Sequence, residues 1–555
     1  MSVFDCNGIE LFRVYDAPGN VLSQAYDAEG NPVMNVRKPT NTALWFVNQT
    51  GYDTDKSKRA TYMGTETSFT VNDAETNETI YQGTITNNIA DFSQLVTAGE
   101  YYLQTASASS YDFKVAVNRI WNVSAEVALD FMAQSRQDAF DVGGNTGYAW
   151  RDGHQFSFEL NGLVMQYMSN PSYYESLPYG IYKANECEYT ELQTQDCPDI
   201  IWLMKFAVMR YYDWNVNDGI QLHALIKGQV AYFLYLYPYV TDYVDATWYQ
   251  LIRDWIITQW SVTTCNKSWY EVTGGINHSL FETQSKIGTV KGMLPPAYAI
   301  VPNLMMYEVA TRDGLSNAND FMTAAQNNMN WLVNDVDLTD PANTKGQRMS
   351  EYITFHALTY MYEMYQSYCP NGTYAKILEV ANLFITRSNN YWDYVQYQTA
   401  GESASITSTV WVNNEGANSG LHNIVGNVAG FMAVAFSLAR VIADTTVKAR
   451  LKELAISHID HCFGRNPLGR CFDYKATEDF DDAKLGWVSR YTGGLGHLDN
   501  VVGVLDGSPK EANYPFDPNG NTGYTEGWVA FNTAWNMSLA YLAGESAANG
   551  IGIFS

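Results

Sequence analysis

Apolar and polar positions along this chain follow two successive rhythms. Between residues 40 and 117 they alternate with period two in short runs separated by turn residues. The runs are Ala43–Asn48, Arg59–Tyr62, Ser68–Val71, Glu78–Tyr81, Gly99–Leu103 and Tyr111–Ala116. Such spacing predicts a small antiparallel sandwich, because alternate side chains of a strand point to opposite faces. Residues 8–14 also read as strand, and 1–39 as an added strand or arm. After Trp121 the period lengthens to about 3.6, and apolar stripes recur to the C-terminus. Helices are predicted to begin near Ser124, Gln155, Pro198, Asp218, Tyr243, Pro295, Ser316, Ser350, Thr373, Leu421, Thr446 and Tyr524. Many of these starts carry Ser, Thr, Asp or Pro, which satisfy or lack the first-turn amides. Periodicity alone leaves a bundle, a solenoid or a double-layered barrel open. No fixed repeat of solenoid length is present.

At 555 residues the chain exceeds one ordinary core, so two domains are expected, 1–120 and 121–555. Hydrophobic residues make up 46% and charged residues 17%, a balance that fills a core. The formal charge of −26 repels nucleic-acid phosphates and anionic membranes, which excludes both as expected partners. Aromatic residues reach 14%, with 40 Tyr, and flat rings with a polar edge suit the stacking faces of sugars. Seven scattered cysteines contain no zinc-like pair, although Cys187 and Cys197 are spaced to close one loop. The opening residues lack the charged and apolar regions of a signal peptide, and no apolar run is long enough for a membrane span. The compartment stays open on this reading, with an exported location favoured.

Two C-terminal segments carry a specific pattern. One is Ile459-Asp-His-Cys-Phe-Gly-Arg-Asn-Pro-Leu-Gly-Arg470. The other is Tyr524-Thr-Glu-Gly-Trp-Val-Ala-Phe-Asn532, in which Glu526 precedes Asn532 by six residues. Both resemble the closing motifs of family 9 glycoside hydrolases. Upstream, 47–60 is similar to the opening strand of the immunoglobulin-like domain that precedes many catalytic domains of that family. The stretch Trp150-Arg-Asp-Gly-His-Gln-Phe156 resembles the segment carrying its water-activating carboxylates, and Cys197-Pro-Asp-Ile-Ile-Trp202 a later helix start. The resemblance spans residues 44–545. It implies an N-terminal all-β immunoglobulin-like sandwich followed by an all-α (α/α)6 barrel, and hydrolysis of a β-linked glycan with inversion.

Inversion needs a protonated carboxyl to donate to the leaving oxygen and an ionised one to activate water. The resemblance assigns the acid to Glu526, where neighbouring aromatics would raise its pKa. A helix-opening Glu beside Thr525 is the structural alternative. The sequence departs from the family at the base, because the usual second Asp falls on Gln155, and an amide takes no proton. Asp152 becomes the expected base, with Glu159, His154 or Asp141 as substitutes; the alternative for Asp152 is an Asx-turn before Gly153. Arg490 and His497 are the nearest candidates for sugar-binding residues, joined by Gln155, Trp150, Trp528 and Tyr524. Arg465 and Arg470 read as locks on the loop around Asn466-Pro467. His278 and His356 lie on segments within reach of a cleft, or are core histidines. No cofactor is required and no catalytic metal is expected; structural calcium would suit the acidic loop 473–482. Two further readings remain: a polysaccharide lyase on an α/α toroid, and a noncatalytic glycan-binding protein, which Gln155 favours.

Overall fold

The computed structural model describes residues 40–41, 44–126, 128–129, 132, 159–180, 187–265, 277–282, 295–339, 341–344, 351–395, 425–466, 529–546 and 549–555, with four short strands inside 1–39. The chain divides into two compact units, Met1–Arg119 and Ile120–Ser555.

In the first unit the strands are β1 (Val3–Phe4), β2 (Glu10–Leu11), β3 (Gln24–Tyr26), β4 (Pro32–Asn35), β5 (Trp45–Phe46), β6 (Tyr52–Asp53), β7 (Arg59–Tyr62), β8 (Ser68–Asp73), β9 (Thr79–Thr86), β10 (Ile89–Asp91), β11 (Gly99–Gln104) and β12 (Phe113–Ala116). β1 pairs with β2 and β3 with β4 as separate two-stranded ladders. The rest form one ladder in the order β5-β7-β10-β9-β8-β11-β12-β6. β9 is the hinge of this ladder. Its end pairs with β10 through Thr86 and Ile85, and its beginning with β8 through Thr84 to Thr79. Inward residues from both halves meet in one core, with Trp45, Tyr62 and Ala90 against Phe69, Leu103, Phe113 and Val115. Trp45 and Tyr62 rings lie 4.5 Å apart. β6 and β10, two and three residues long, are too short to show a period in the sequence.

The loop after β6 closes on a buried cation. Lys58 Nζ donates to the carbonyls of Asp53, Thr54 and Lys56 at 3.0, 2.9 and 2.7 Å, and the residue is fully buried. The ammonium thus replaces the water that these carbonyls would otherwise need.

The second unit holds twelve longer helices among the described residues: α1 (119–126), α2 (Glu159–Ser169), α3 (Asp199–Val216), α4 (Ala224–Leu236), α5 (Ala246–Gln259), α6 (Ile300–Arg312), α7 (Ala318–Asn334), α8 (Tyr352–Met364), α9 (Thr373–Arg387), α10 (Val425–Val441), α11 (Thr445–Cys462) and α12 (Val529–Ser546). Local chemistry fixes several starts. Asp245 accepts from the amides of Thr247 and Trp248 at 2.8 and 2.9 Å, so α5 begins after it. Asp444 does the same for α11 through Thr446 and Val447. The predicted start near Asp218 moves to Ala224, where the His223 side chain caps Leu225 instead.

The even-numbered helices pack in a closed ring: α2 on α4, α4 on α6, α6 on α8, α8 on α10, α10 on α12, and α12 back on α2. Five of the odd-numbered helices flank them, α3 on α2 and α4, α5 on α4, α7 on α6, α9 on α8 and α10, α11 on α10. Burial separates the layers. Every residue from Ala224 to Leu234 in α4 and from Tyr352 to Met361 in α8 is buried. In α7 the buried set, including Phe321, Ala325, Asn328 and Leu332, follows one face. A helix apolar all round belongs inside, and one with a single stripe outside. This is an (α/α)6 barrel.

Links from an inner helix to the next outer one are short at 237–245, 313–317, 365–372 and 442–444. Links from outer to inner are long at 260–299, 388–424 and 463–528. Three of the long links thus lead into N-termini of inner helices, whereas the long link 170–198 leads out of α2 and the link 217–223 into α4 is short.

Candidate active site

The mouth defined by the inner-helix N-termini is where the sequence-predicted residues lead. α2 and α12 are ring neighbours although far apart in sequence. The first turn of α2 meets α12 one to two turns from its start: a Cβ on Gly162 would lie 3.1 Å from Asn536 Cβ and 3.1 Å from Thr533 Cγ2. A turn further in, Gln166 Nε2 donates to Asn536 Oδ1 at 3.3 Å. Trp150, Asp152 and Gln155 precede α2 in the chain, and Tyr524, Glu526 and Trp528 precede α12. All six lie outside the described residues, as do Arg490, His497, Arg470, His154, Asp141 and the acidic loop 473–482. Glu159 and Asn532 are described only as helical backbone.

Below the mouth, between α2, α4, α6, α8 and α12, lies a small cavity lined with polar groups. Asn161, Tyr232, Tyr298, Tyr352 and His356 face it, with Met537 opposite. His356 Nδ1 is 2.6 Å from the Tyr541 hydroxyl. Its Nε2 and Asn161 Oδ1 have no hydrogen-bond partner among the described residues. Burial lowers the His356 pKa to about 3, with Arg440 adding to the effect, and raises that of Tyr352. Both are neutral near pH 7 and supply hydrogen bonds rather than protons. His356 is therefore a core histidine beneath the mouth.

His278 is also in the core. Its Nδ1 accepts from the Ala224 amide at 3.3 Å, and its ring stands 4.5 Å from His223. Desolvation lowers its pKa to about 3, with Lys227 beside it. Lys227, in the first turn of α4, donates to the carbonyls of Gln259 and Val262 at 3.0 and 2.9 Å. Burial brings its pKa down to about 7. These groups tie α4 to the segment after α5.

The Gly-Arg-Asn motif forms a buried lock on the same side. Arg465 is fully buried and pairs with Asp393 Oδ2 at 2.8 Å. It also donates to the Tyr391 carbonyl and to Ser457 Oγ at 3.3 Å each. Arg450 takes the other Asp393 oxygen at 2.7 Å. Asn466 Nδ2 donates to the His461 carbonyl at 2.7 Å, and the His461 ring stacks on Tyr394 at 4.3 Å. Arg465 is thus the structural lock expected of it. Asp393 and Tyr394 went unrecognised in the sequence, since nothing in the local pattern marks a carboxylate as the partner of an arginine 72 residues later.

Cys187 and Cys197 form no bridge and are buried thiols. The loop between them is closed by amides instead: Gln193 Nε2 donates to the Cys187 carbonyl at 2.8 Å, and Gln195 Nε2 to that of Cys197 at 3.0 Å. Among the described residues no group of His, Cys, Asp and Glu is placed to hold a metal, and no helix is long and apolar enough to cross a membrane.

The described residues thus form a β-sandwich unit and an (α/α)6 barrel. Residues 45–110 match the family described as the cellulase N-terminal ig-like domain. A family 9 glycoside hydrolase of Bacteroides ovatus superposes with a TM-score of 0.54 at 13% identity, over 90% of this chain and 100% of that one. A thermostable endoglucanase of Alicyclobacillus acidocaldarius gives 0.52 at 11% identity, over 90% and 99%. The family 9 endoglucanase J30 gives 0.52 at 14% identity, over 88% and 99%. No curated protein sequence matches the chain. The chain carries a cellulase-type immunoglobulin-like domain and has the fold of the family 9 glycoside hydrolases.

Proposed function

We propose that this protein is a glycoside hydrolase that cleaves β-linked oligo- or polysaccharides with inversion, with Glu526 as general acid and Asp152 as general base. The observation that carries the reading is the contact of Gly162 with Thr533 and Asn536. It joins the first turn of α2 to α12 one to two turns from its start, and these are the helices that the Asp152 and Glu526 segments enter. An inverting site needs its carboxyl groups about 6.5–9.5 Å apart across the scissile bond, and adjacent parallel helix starts suit such a pair. Trp150, Trp528 and Tyr524 offer rings to the sugar faces, and Arg490, His497 and Gln155 offer hydrogen bonds to its hydroxyls. Water and two carboxyl groups suffice for the reaction, so no cofactor enters it.

Gln155 supports a second reading, a glycan-binding protein that does not cleave. A proton NMR time course separates the two, run on wild type and Glu526→Gln with gluco-, xylo- and glucosamine-based β-linked oligosaccharides. The expected result is release of α-anomers by wild type and silence of the variant. Ligand line-broadening without cleavage by either protein establishes the binding reading. Unsaturated uronate products from an acidic glycan overturn both in favour of a lyase.

A further inference from the structure

The cavity beneath the mouth lies at the centre of the barrel. α2 and α8 stand opposite each other in the ring of inner helices, yet Asn161 of α2 and His356 of α8 line this one cavity. Both side chains are buried, at 5% and 3% exposed. The Tyr541 hydroxyl of α12 occupies His356 Nδ1 at 2.6 Å, which leaves Nε2 for the cavity. His356 Nε2 and Asn161 Oδ1 have no hydrogen-bond partner among the described residues. A buried polar atom left dry forfeits its hydration with no return, so such atoms as a rule hold a partner.

Space and chemistry name that partner. The cavity has room for about one water molecule. Among the described residues its lining holds no Asp, Glu, Lys or Arg, so an ion of either sign would be buried there without a counter-charge. Tyr298 also faces it; its hydroxyl donates to the Leu225 carbonyl at 2.6 Å and retains lone pairs to accept. An amide oxygen, an imidazole nitrogen and a phenol oxygen around so small a space suit a neutral O–H group that donates and accepts at once. A sugar ring does not fit. The neighbouring contacts show what such a group would hold: Gln229 of α4 accepts from the Leu160 amide at 3.0 Å, and Gly162 abuts Thr533 and Asn536 of α12. The first turn of α2 is thus fixed from α4 and α12 by direct contacts, and Asn161 is its group that faces α8.

We propose that this cavity is a hydration site whose single water bridges His356 Nε2 and Asn161 Oδ1, and that His356 through this water is a positioning residue for the start of α2. The bridge stands on its own geometry, whereas its bearing on catalysis rests on the proposed function, in which the Asp152 segment enters α2. The chain of contacts then runs from Tyr541 of α12 through His356 of α8 and the water to Asn161 of α2, and ties three inner helices together under the mouth.

The first test is a crystal structure of the full chain at a resolution that shows ordered waters, without ligand and after soaking with a β-linked oligosaccharide. One water within hydrogen-bond distance of both atoms is expected in both crystals. A direct bond between the two side chains or an empty cavity overturns the bridge, and so does a sugar hydroxyl in its place after soaking. The second is a double-mutant cycle on the unfolding constant with His356→Phe and Asn161→Leu. Either substitution removes the water, so each should raise the constant by about tenfold and the double variant by little more; a product of the two single effects overturns the bridge. The third is turnover of a short oligosaccharide per folded molecule. His356→Phe is expected to lower kcat at least about tenfold with KM within about twofold, and His356→Gln, which carries an amide to a similar depth, to restore most of it. Unchanged kcat in folded His356→Phe overturns the positioning role. A wild type without turnover fails the hydrolase reading and that role with it, while the crystals and the cycle still decide the bridge.

Discussion

Gly162 of α2 lies against Asn536 of α12 so closely that a Cβ on the glycine would come 3.1 Å from the Asn536 Cβ. Helix-interior glycine is normally unfavourable by about 1 kcal/mol relative to alanine. At this position its small size lets two ring helices approach where the segments holding the candidate carboxylates enter. Gly162→Val places a branched side chain into that contact, and overpacking of this kind costs about 1–3 kcal/mol. Thermal unfolding should show a lowered midpoint. On the proposed function, turnover should fall further than the fraction of folded protein does, because α2 and α12 move apart. Full turnover in a folded variant would show that their spacing is immaterial to the reaction.

Asp152→Asn removes the expected base and leaves a side chain of the same shape. A positioned general base contributes about 10²–10⁴-fold to rate. The expected outcome is a loss of at least about 10² in kcat, with KM little changed. Steady-state kinetics on a cleaved oligosaccharide check it. Retained turnover would move the role to Glu159, His154 or Asp141.

The pair of Arg465 and Asp393 sits fully inside the protein, at 2.8 Å. Removing one partner from a buried pair costs about 3–5 kcal/mol, since the other charge is left without its counter-ion. Arg450 still reaches Asp393, so Arg465→Met should fall toward the lower end of that range. Arg450→Met, replacing the partially exposed cation, should cost less. Denaturant melts of both variants give the comparison.

His278, His356 and His458 all have pKa values brought down to about 3, in each case chiefly by desolvation. The unfolded chain binds their protons near pH 6.5 while the folded protein does not, so stability falls as pH drops from about 6.5 toward 3. Lys227, lowered to about 7 by burial, acts in the same direction at higher pH. The unfolded chain holds its proton up to about 10.4, so this group makes stability rise from about pH 7 to 10. Melting temperatures across pH 4–9 should show both slopes, and His356→Asn should flatten the acid one.

Lys58 holds three carbonyls of its own loop in the first unit. Lys58→Met keeps the stem and removes the donor, and buried acceptors left unsatisfied cost about 1–3 kcal/mol. The loss should appear in hydrogen exchange of residues 53–58 and in the melting of the sandwich.

Much of this architecture is already written in the sequence, because strand and helix periods, turns and caps are local. The change of period after Trp121, the strands at 59–62 and 68–71, and the helix start near Thr446 depend on neighbours a few residues away. The motif around Arg465 carried the resemblance to family 9 for the same reason. Tertiary structure decided what periodicity cannot encode, namely which helices meet. Closure of the ring through α2 and α12, the choice of Asp393 as partner for Arg465, and the burial that makes His278 and His356 neutral core groups all join residues distant in the chain. Two spaced cysteines are unbridged thiols whose carbonyls accept from glutamine amides. Each of these contacts is set by packing between elements, and its partners leave no mark on one another's local sequence.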